Sequence, residues 1–201
     1  MGRRQSALEA LVGGMAGRFS FEPAALDGLC VVTRQRRGDA RGFLSRLFEP
    51  EALREAGWPG PIAQINETAT ALKGTVRGMH FQRPPFAEAK LVSCTRGRIF
   101  DVALDLRAGS PTFLRWHGVE LSDENGRSLL IPPGFAHGFQ ALSDDVRMIY
   151  LHSAPYTPEA EGGCDACDPA FGIEWPLAVE NRSDRDRNFA PIDAGFEGLR
   201  P

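Results

Sequence analysis

Residues 98 to 107, RIFDVALDLR, alternate without a break: Phe100, Val102, Leu104 and Leu106 fall on one side, Asp101, Ala103, Asp105 and Arg107 on the other. A period of two marks an extended strand, because successive side chains of a strand point to opposite faces. Shorter segments of similar character recur at close spacing: CVVTRQ, PIAQINE, TVRGMHF, AKLVSCTRG, FLRWHGVEL, RSLLIPP and VRMIYLHS, divided by Gly, Pro, Asn, Asp and Ser clusters. The clearest helical stretch is PEALREAGW, residues 50 to 58. So many short strands with little helix between them predict an antiparallel sandwich or barrel. An eight-stranded barrel of this size leaves a cavity at its mouth for one small ligand, and inward-pointing side chains are where chemistry is expected.

Composition narrows the partner. The chain has 201 residues, 42% hydrophobic and 24% charged, enough for one domain with a substantial core. A net charge of −3 and a pI near 5.8 argue against a nucleic-acid surface, though arginines inside a cleft can still hold a small anion. No apolar run approaches the roughly 20 residues that span a bilayer. No membrane association is expected, and the compartment is expected to be the cytoplasm. The first segment, MGRRQSALEALVGGMAG, has a short apolar stretch interrupted by Glu9 and no small-residue cleavage site, and MGRRQS fits the N-myristoylation pattern only loosely. Residues 1 to 18 are read as a flexible extension and residues 19 to 201 as a single domain.

Five polar residues interrupt otherwise apolar strand segments: Arg77 and His80 in VRGMHFQ, Lys90 in AKLV, His137 in PPGFAHGF and Tyr150 in VRMIYLHS. Singly, each is the kind of residue a strand keeps on its wet face or satisfies in the core. Together they supply a base titrating near neutrality, a phenolic acid and two cations, which is what proton transfer at a carbon beside a carbonyl requires. Pleat parity alone sets Arg77 and His80 on opposite faces, so Gly78 between them is expected to permit a bulge that re-aims one side chain.

The two imidazoles invite a metal as the competing use. Metal-binding cupin barrels offer H-x-H, a glutamate and a distant histidine, whereas here Gln82 stands in place of the second histidine, and glutamine is a weak ligand for transition metals. A site without metal or other cofactor is therefore expected. The CDAC pair, Cys164 and Cys167, lacks two nearby partners, since Cys30 and Cys94 lie far away in sequence, and reads as two thiols in a loop.

The order DARGF (39 to 43), QINET (64 to 68), VRGMHFQRPPFAEAKLV (76 to 92), GRIFDVALDLRAGSPTF (97 to 113), IPPGFAHGF (131 to 139), YLHSAPYTPEAEGG (150 to 163), DPAFGIEWP (168 to 176) and SDRD (183 to 186) resembles the dTDP-4-dehydrorhamnose 3,5-epimerases, from about residue 19 to about residue 192. The resemblance implies an all-β fold, a cupin or jelly-roll antiparallel barrel with a few short helices. It also implies a homodimer acting on a small nucleotide-linked 4-keto sugar.

In that family the histidine matching His80 is the base at C-3 and C-5, and Asp186 matches the acid that orients it. Lys90 matches the lysine facing the ketone oxygen, and Tyr150 the acid on the opposite face. Arg41 and Arg77 match residues that contact the diphosphate, and Gln64, Asn66, His137 and Glu161 match others lining the site. The chain departs from the family pattern at Arg46, where a glutamate is usual, and at Pro155, where some members carry an aromatic. Three rivals stay open at this level: an epimerase acting at one carbon, a sugar-nucleotide binding module without catalysis and, ranked last, a metal-dependent cupin dioxygenase or isomerase.

Overall fold

The computed structural model describes residues 18 to 192 and 195 to 200. Its strands form two main antiparallel sheets, the arrangement of a jelly roll. The first sheet runs β1 (Phe19–Pro23), β2 (Cys30–Arg34), β10 (Arg127–Ile131), β7 (Lys90–Arg96), β12 (Val146–His152), β5 (Gln64–Thr70) in spatial order. The second runs β13 (Glu161–Gly163), β6 (Val76–Gln82), β11 (Phe135–Ala141), β8 (Arg98–Asp105), β9 (Trp116–Ser122). A separate hairpin pairs β3 (Arg36–Asp39) with β4 (Gly42–Ser45). The all-β expectation holds, although the strands outnumber the eight of a minimal barrel.

Three apolar clusters explain this layering. Between the sheets, Val31, Val92, Leu129 and Met148 of the first meet Ile99, Ala103, Leu121 and Phe139 of the second. The outer face of the first sheet, with Val32, Leu91, Leu130 and Leu151, is covered by Leu53 and Trp58. The outer face of the second, with Met79, Val102 and Leu104, is covered by the C-terminal segment through Cys164, Phe171 and Leu199. Each sheet is thus buried on both faces, and polar groups pointing inward must find partners there.

Strand β8 shows the consequence. Its Val102 and Leu104 face the C-terminal cover, while Ile99 and Ala103 face the sandwich interior, and Asp101 and Asp105 are fully buried with that second row. The polar side of the alternation is therefore an interior face, not a wet one. Strand β11, FAHGFQA, is buried at every residue, so it carries no amphipathic period. The predicted helix is shorter than its sequence signal: α1 spans Pro50–Glu55, and Trp58 folds back so that its backbone N–H donates to the Leu53 carbonyl at 2.8 Å.

The expected extension lies outside the described residues apart from Arg18. That residue's carbonyl accepts from the Gln35 N–H at 2.8 Å, and its guanidinium pairs with Glu49 at 3.0 Å. No helix of the described residues is long and apolar enough to cross a membrane.

The bulge expected at Gly78 is present. Along β6 the partners on β11 shift, with His80 opposite His137 and Arg77 opposite Phe139, so three steps on one strand match two on the other. Val76, Met79 and Phe81 consequently share the outer face, and Arg77 and His80 both turn inward to the cavity. Gly78 sits at φ +124°, and a Cβ there would meet the Gly138 Cα at 2.6 Å and the His137 carbonyl oxygen at 2.8 Å. Positive φ and overpacking together should make Gly78→Ala cost roughly 2–5 kcal/mol in denaturant unfolding. A change near zero would mean that the bulge does not need glycine.

Candidate active site

The cavity of about 240 Å³ lies between the sheets, lined by Asn66, Thr68, Arg77, His80, Phe81, Gln82, Glu88, Lys90, His137, Phe139, Tyr150, His152, Tyr156 and Glu161. Seven of the ten residues singled out from sequence are on its wall: Asn66, Arg77, His80, Lys90, His137, Tyr150 and Glu161. Asp186 stands directly behind His80. Gln64 is one step back, donating from Nε2 to Asn66 Oδ1 at 3.0 Å. Arg41 is not on the wall. It sits at the tip of the exposed β3–β4 hairpin, where Asp39 holds its guanidinium at 2.6 Å.

His80 Nε2 lies 2.8 Å from Asp186 Oδ1, and the second carboxylate oxygen accepts from the Gly78 N–H at 3.1 Å. Asp186 belongs to a short helix, α2 (Asp184–Arg187), whose N-cap Ser183 accepts from the Asp186 N–H at 3.1 Å. Arg182 donates to the Asp186 carbonyl at 2.7 Å, so the carboxylate is fixed from several directions. With Nε2 engaged, Nδ1 is left as the ring nitrogen free to take a proton. Phe189 packs edge-on against the imidazole at 6.0 Å, and Gly163 makes room for that ring, since a Cβ there would fall 2.1 Å from it.

Tyr150 projects inward from β12 and is 9% exposed. Burial, with the negative charge of Asp101 adding to it, pushes its hydroxyl well above the usual phenol range, so it stays protonated at neutral pH. Its hydroxyl lies 3.5 Å from Met148 Sδ, a weak acceptor, and its ring meets His137 edge-on at 5.8 Å. His137, the register partner of His80 on the adjacent strand, is held by buried Asp101 at 2.8 Å, a second imidazole–carboxylate pair in the same sheet. Lys90 places Nζ 3.3 Å from Glu88 and 3.4 Å from the His80 carbonyl oxygen.

Gln82 does not behave as a vacant ligand position. Its Nε2 donates to the carbonyls of Phe86 and Pro155 at 3.0 and 3.2 Å, and its Oε1 accepts from the Thr157 N–H at 2.6 Å. The side chain ties two loops beside the cavity. Among the described residues, no three His, Cys, Asp or Glu side chains are grouped to hold a metal ion. Cys164 packs in the core, where burial pushes its thiol up to about 12, while Cys167 is exposed. Of the two departures noted in the sequence, Arg46 pairs with Glu49 at 3.1 Å, and the Pro155 carbonyl accepts from Gln82 Nε2 at 3.2 Å and from Thr157 Oγ1 at 3.4 Å.

Residues 23 to 193 match the family model described as dTDP-4-dehydrorhamnose 3,5-epimerase. The chain belongs to this family. A relative named dTDP-4-dehydrorhamnose 3,5-epimerase from Sinorhizobium fredii is 45% identical over 156 residues, covering 78% of this chain and 80% of the relative. One named dTDP-4-dehydrorhamnose 3-epimerase from Streptomyces niveus is 38% identical over 183 residues, covering 90% of this chain and 88% of the relative. The crystal structure of the dTDP-6-deoxy-D-glucose-3,5-epimerase from Legionella pneumophila, in complex with dTDP-4-keto-L-rhamnose, superposes with a TM-score of 0.84 at 36% identity. That match covers 91% of this chain and 99% of the other.

Sequence reasoning passed over Glu88 and His152, which line the cavity, and Asp101, which pairs with His137 on its wall. Two carried a readable signal. His152 follows Tyr150 by two positions on one strand and so shares its face, and Asp101 sits at the centre of the strict alternation. Glu88 precedes its strand, and nothing in the periodicity marks it.

Burial alone would raise the Asp186 carboxyl, but hydrogen bonds from His80 and the Gly78 N–H outweigh it and hold the group below the ordinary carboxylate range. A depressed value means stability that is present above the unfolded-state carboxylate pKa and lost as pH falls through the folded value. Asp186→Asn should therefore flatten the decline in unfolding free energy below about pH 5, measured by urea titration. An unchanged decline would remove Asp186 from the acid-sensitive groups.

Proposed function

We infer that this protein epimerises a dTDP-linked 4-keto-6-deoxyhexose at C-3 and C-5, by removal and return of protons next to the C-4 ketone. The single observation that carries the reading is the His80–Asp186 pair at 2.8 Å opening on the cavity that Tyr150 and Lys90 also line. Asp186 stabilises the imidazolium that forms when His80 takes the proton. Negative charge then develops on the ketone oxygen, and Lys90 is the cation set to meet it, an interaction typically worth about 3 kcal/mol for one donor. Tyr150, protonated and buried, returns a proton from the other side, which inverts the carbon. Arg77 is suited to the diphosphate by its forked donors. The expected setting is the cytoplasm, in deoxysugar synthesis of the L-rhamnose type.

Incubation of dTDP-4-keto-6-deoxyglucose with the protein in heavy water, followed by NMR, should show exchange of the sugar protons at two carbons. Exchange at one carbon would favour the single-position alternative, and none would favour a binding module. His80→Ala should abolish both exchanges, whereas Tyr150→Phe should slow epimerisation more than exchange.

We further propose a homodimer in which the β3–β4 hairpin of one copy reaches the cavity of the other. Two facts support it: Arg41 lies off the wall of its own chain's cavity, and the hairpin exposes Phe43 and Leu44, at 60% and 74%. Mixed, refolded His80→Ala and Arg41→Ala chains, assayed below KM, should then recover about a quarter of the wild-type rate, because each mixed dimer rebuilds one intact site. No recovery on mixing would mean that Arg41 serves its own chain or no site at all.

A further inference from the structure

One wall of the cavity carries ionisable groups that the proton-transfer steps do not use. Glu88, with its side chain 8% exposed, splits its carboxylate between two partners: Oε1 faces Lys90 Nζ at 3.3 Å, and Oε2 faces His152 Nδ1 at 2.9 Å. His152 lies on the inward face of β12 and stacks on Tyr150, with ring centroids 6.2 Å apart and planes 23° from parallel. Its other nitrogen, Nε2, lies 3.4 Å from Asn66 Nδ2.

The hydrogen-bond pattern assigns a direction to this chain of groups. Asn66 Oδ1 accepts from Gln64 Nε2, so it is the Asn66 amide nitrogen, a donor, that faces His152. Nε2 must then accept, which leaves the proton on Nδ1 to be donated to Glu88. Gln64 Oε1 in turn accepts from the Tyr156 N–H at 3.0 Å. Donors thus point one way from the Tyr156 backbone through Gln64, Asn66 and His152 to Glu88, and Lys90 reaches the same carboxylate from the opposite side.

A buried carboxylate facing only Lys90 would be free to close both oxygens onto the ammonium and cancel its field at the substrate. Here His152 occupies one oxygen. The ammonium keeps a single carboxylate contact and a second polar contact to the His80 carbonyl oxygen at 3.4 Å. Burial works against the Glu88 carboxylate, but the His152 hydrogen bond and the Lys90 charge outweigh it and hold its pKa below the usual range, so the anchor is ionised.

We propose that Glu88 and His152 are positioning residues: His152 holds the Glu88 carboxylate so that it fixes Lys90 Nζ on the cavity wall, aimed at the ketone oxygen, without capturing it. This rests on the reading of Lys90 as the cation that meets the enolate oxygen. The pair supports the reacting group from behind, and loosening such a support reduces rate through misplacement of that group.

Four variants, Lys90→Ala, His152→Leu, His152→Asn and Glu88→Gln, with the Glu88→Gln/His152→Leu double, test it by deuterium wash-in rate and by affinity for dTDP, which lacks the keto sugar. His152→Leu, which keeps bulk but no donor, should lower kcat about tenfold, the worth of roughly one hydrogen bond, while dTDP affinity stays within about twofold. His152→Asn sets an amide nitrogen near the Nδ1 position and should recover most of the rate. The double variant should be no slower than Glu88→Gln alone, since His152 acts through Glu88. Wild-type kcat in His152→Leu, no rescue by His152→Asn, or losses that multiply in the double variant would each overturn the proposal. Should His152→Leu not fold, Glu88→Gln decides: a fall in kcat with dTDP affinity kept supports the proposal, and a wild-type kcat overturns it. Wild-type exchange in Lys90→Ala would instead refute the enolate-cation reading and with it this one, a result distinct from a slow Lys90→Ala beside a silent His152.

Discussion

The two oxygens of the Asp186 carboxylate divide their work between the backbone and the chemistry. One accepts from the Gly78 N–H inside the bulge of β6, and the other accepts from His80, two residues further on. The residue that holds the His80 ring therefore also bonds the irregularity that turns His80 inward. Asp186 rides on the C-terminal segment, whose apolar residues cover the outer face of the same sheet, so one segment supplies both the outer core and the carboxylate beside His80.

Burial of both sheets on both faces sets the electrical terms for everything in the cavity. A histidine, a lysine or a carboxylate placed between two apolar layers is tolerated only with partners, and the structure supplies them pairwise: His80 with Asp186, His137 with Asp101, and Lys90 and His152 with Glu88. Tyr150 is the exception. Its hydroxyl lies 3.5 Å from Met148 Sδ and interacts with the Thr68 side chain, and burial, which outweighs the Thr68 contact, keeps it protonated at neutral pH. On the function proposed above, paired imidazoles and a paired cation beside a protonated phenol form a site prepared for charge that appears only during reaction.

Much of this was legible in the chain. Alternation in β8 and the punctuated short segments led to an antiparallel sandwich, and the family motifs led to His80, Asp186, Lys90 and Tyr150. What the alternation did not carry has a common cause: periodicity reports amphipathicity, and the buried strands are not amphipathic. Asp101, on the polar side of the β8 alternation, is fully buried, and β11 shows no period because every residue is buried. The helix within residues 50 to 58 ends at Glu55 because Gly57, at φ +107°, and Trp58 return their N–H groups to the Arg54 and Leu53 carbonyls, a glycine stop that the local sequence carries.

Sequence by itself determined the strand-rich class, the polar residues set into apolar strands and the need for an irregularity at Gly78, since residue types, a period of two and a broken parity are all local properties. Which groups pair was decided only by the tertiary structure. Asp186 lies 106 positions from His80, Asp101 lies 36 from His137, and Glu88 lies 64 from His152. Contacts of that span arise from strand order and register, which depend on how two sheets and a covering segment bury their faces at once, and no single stretch of the chain encodes that.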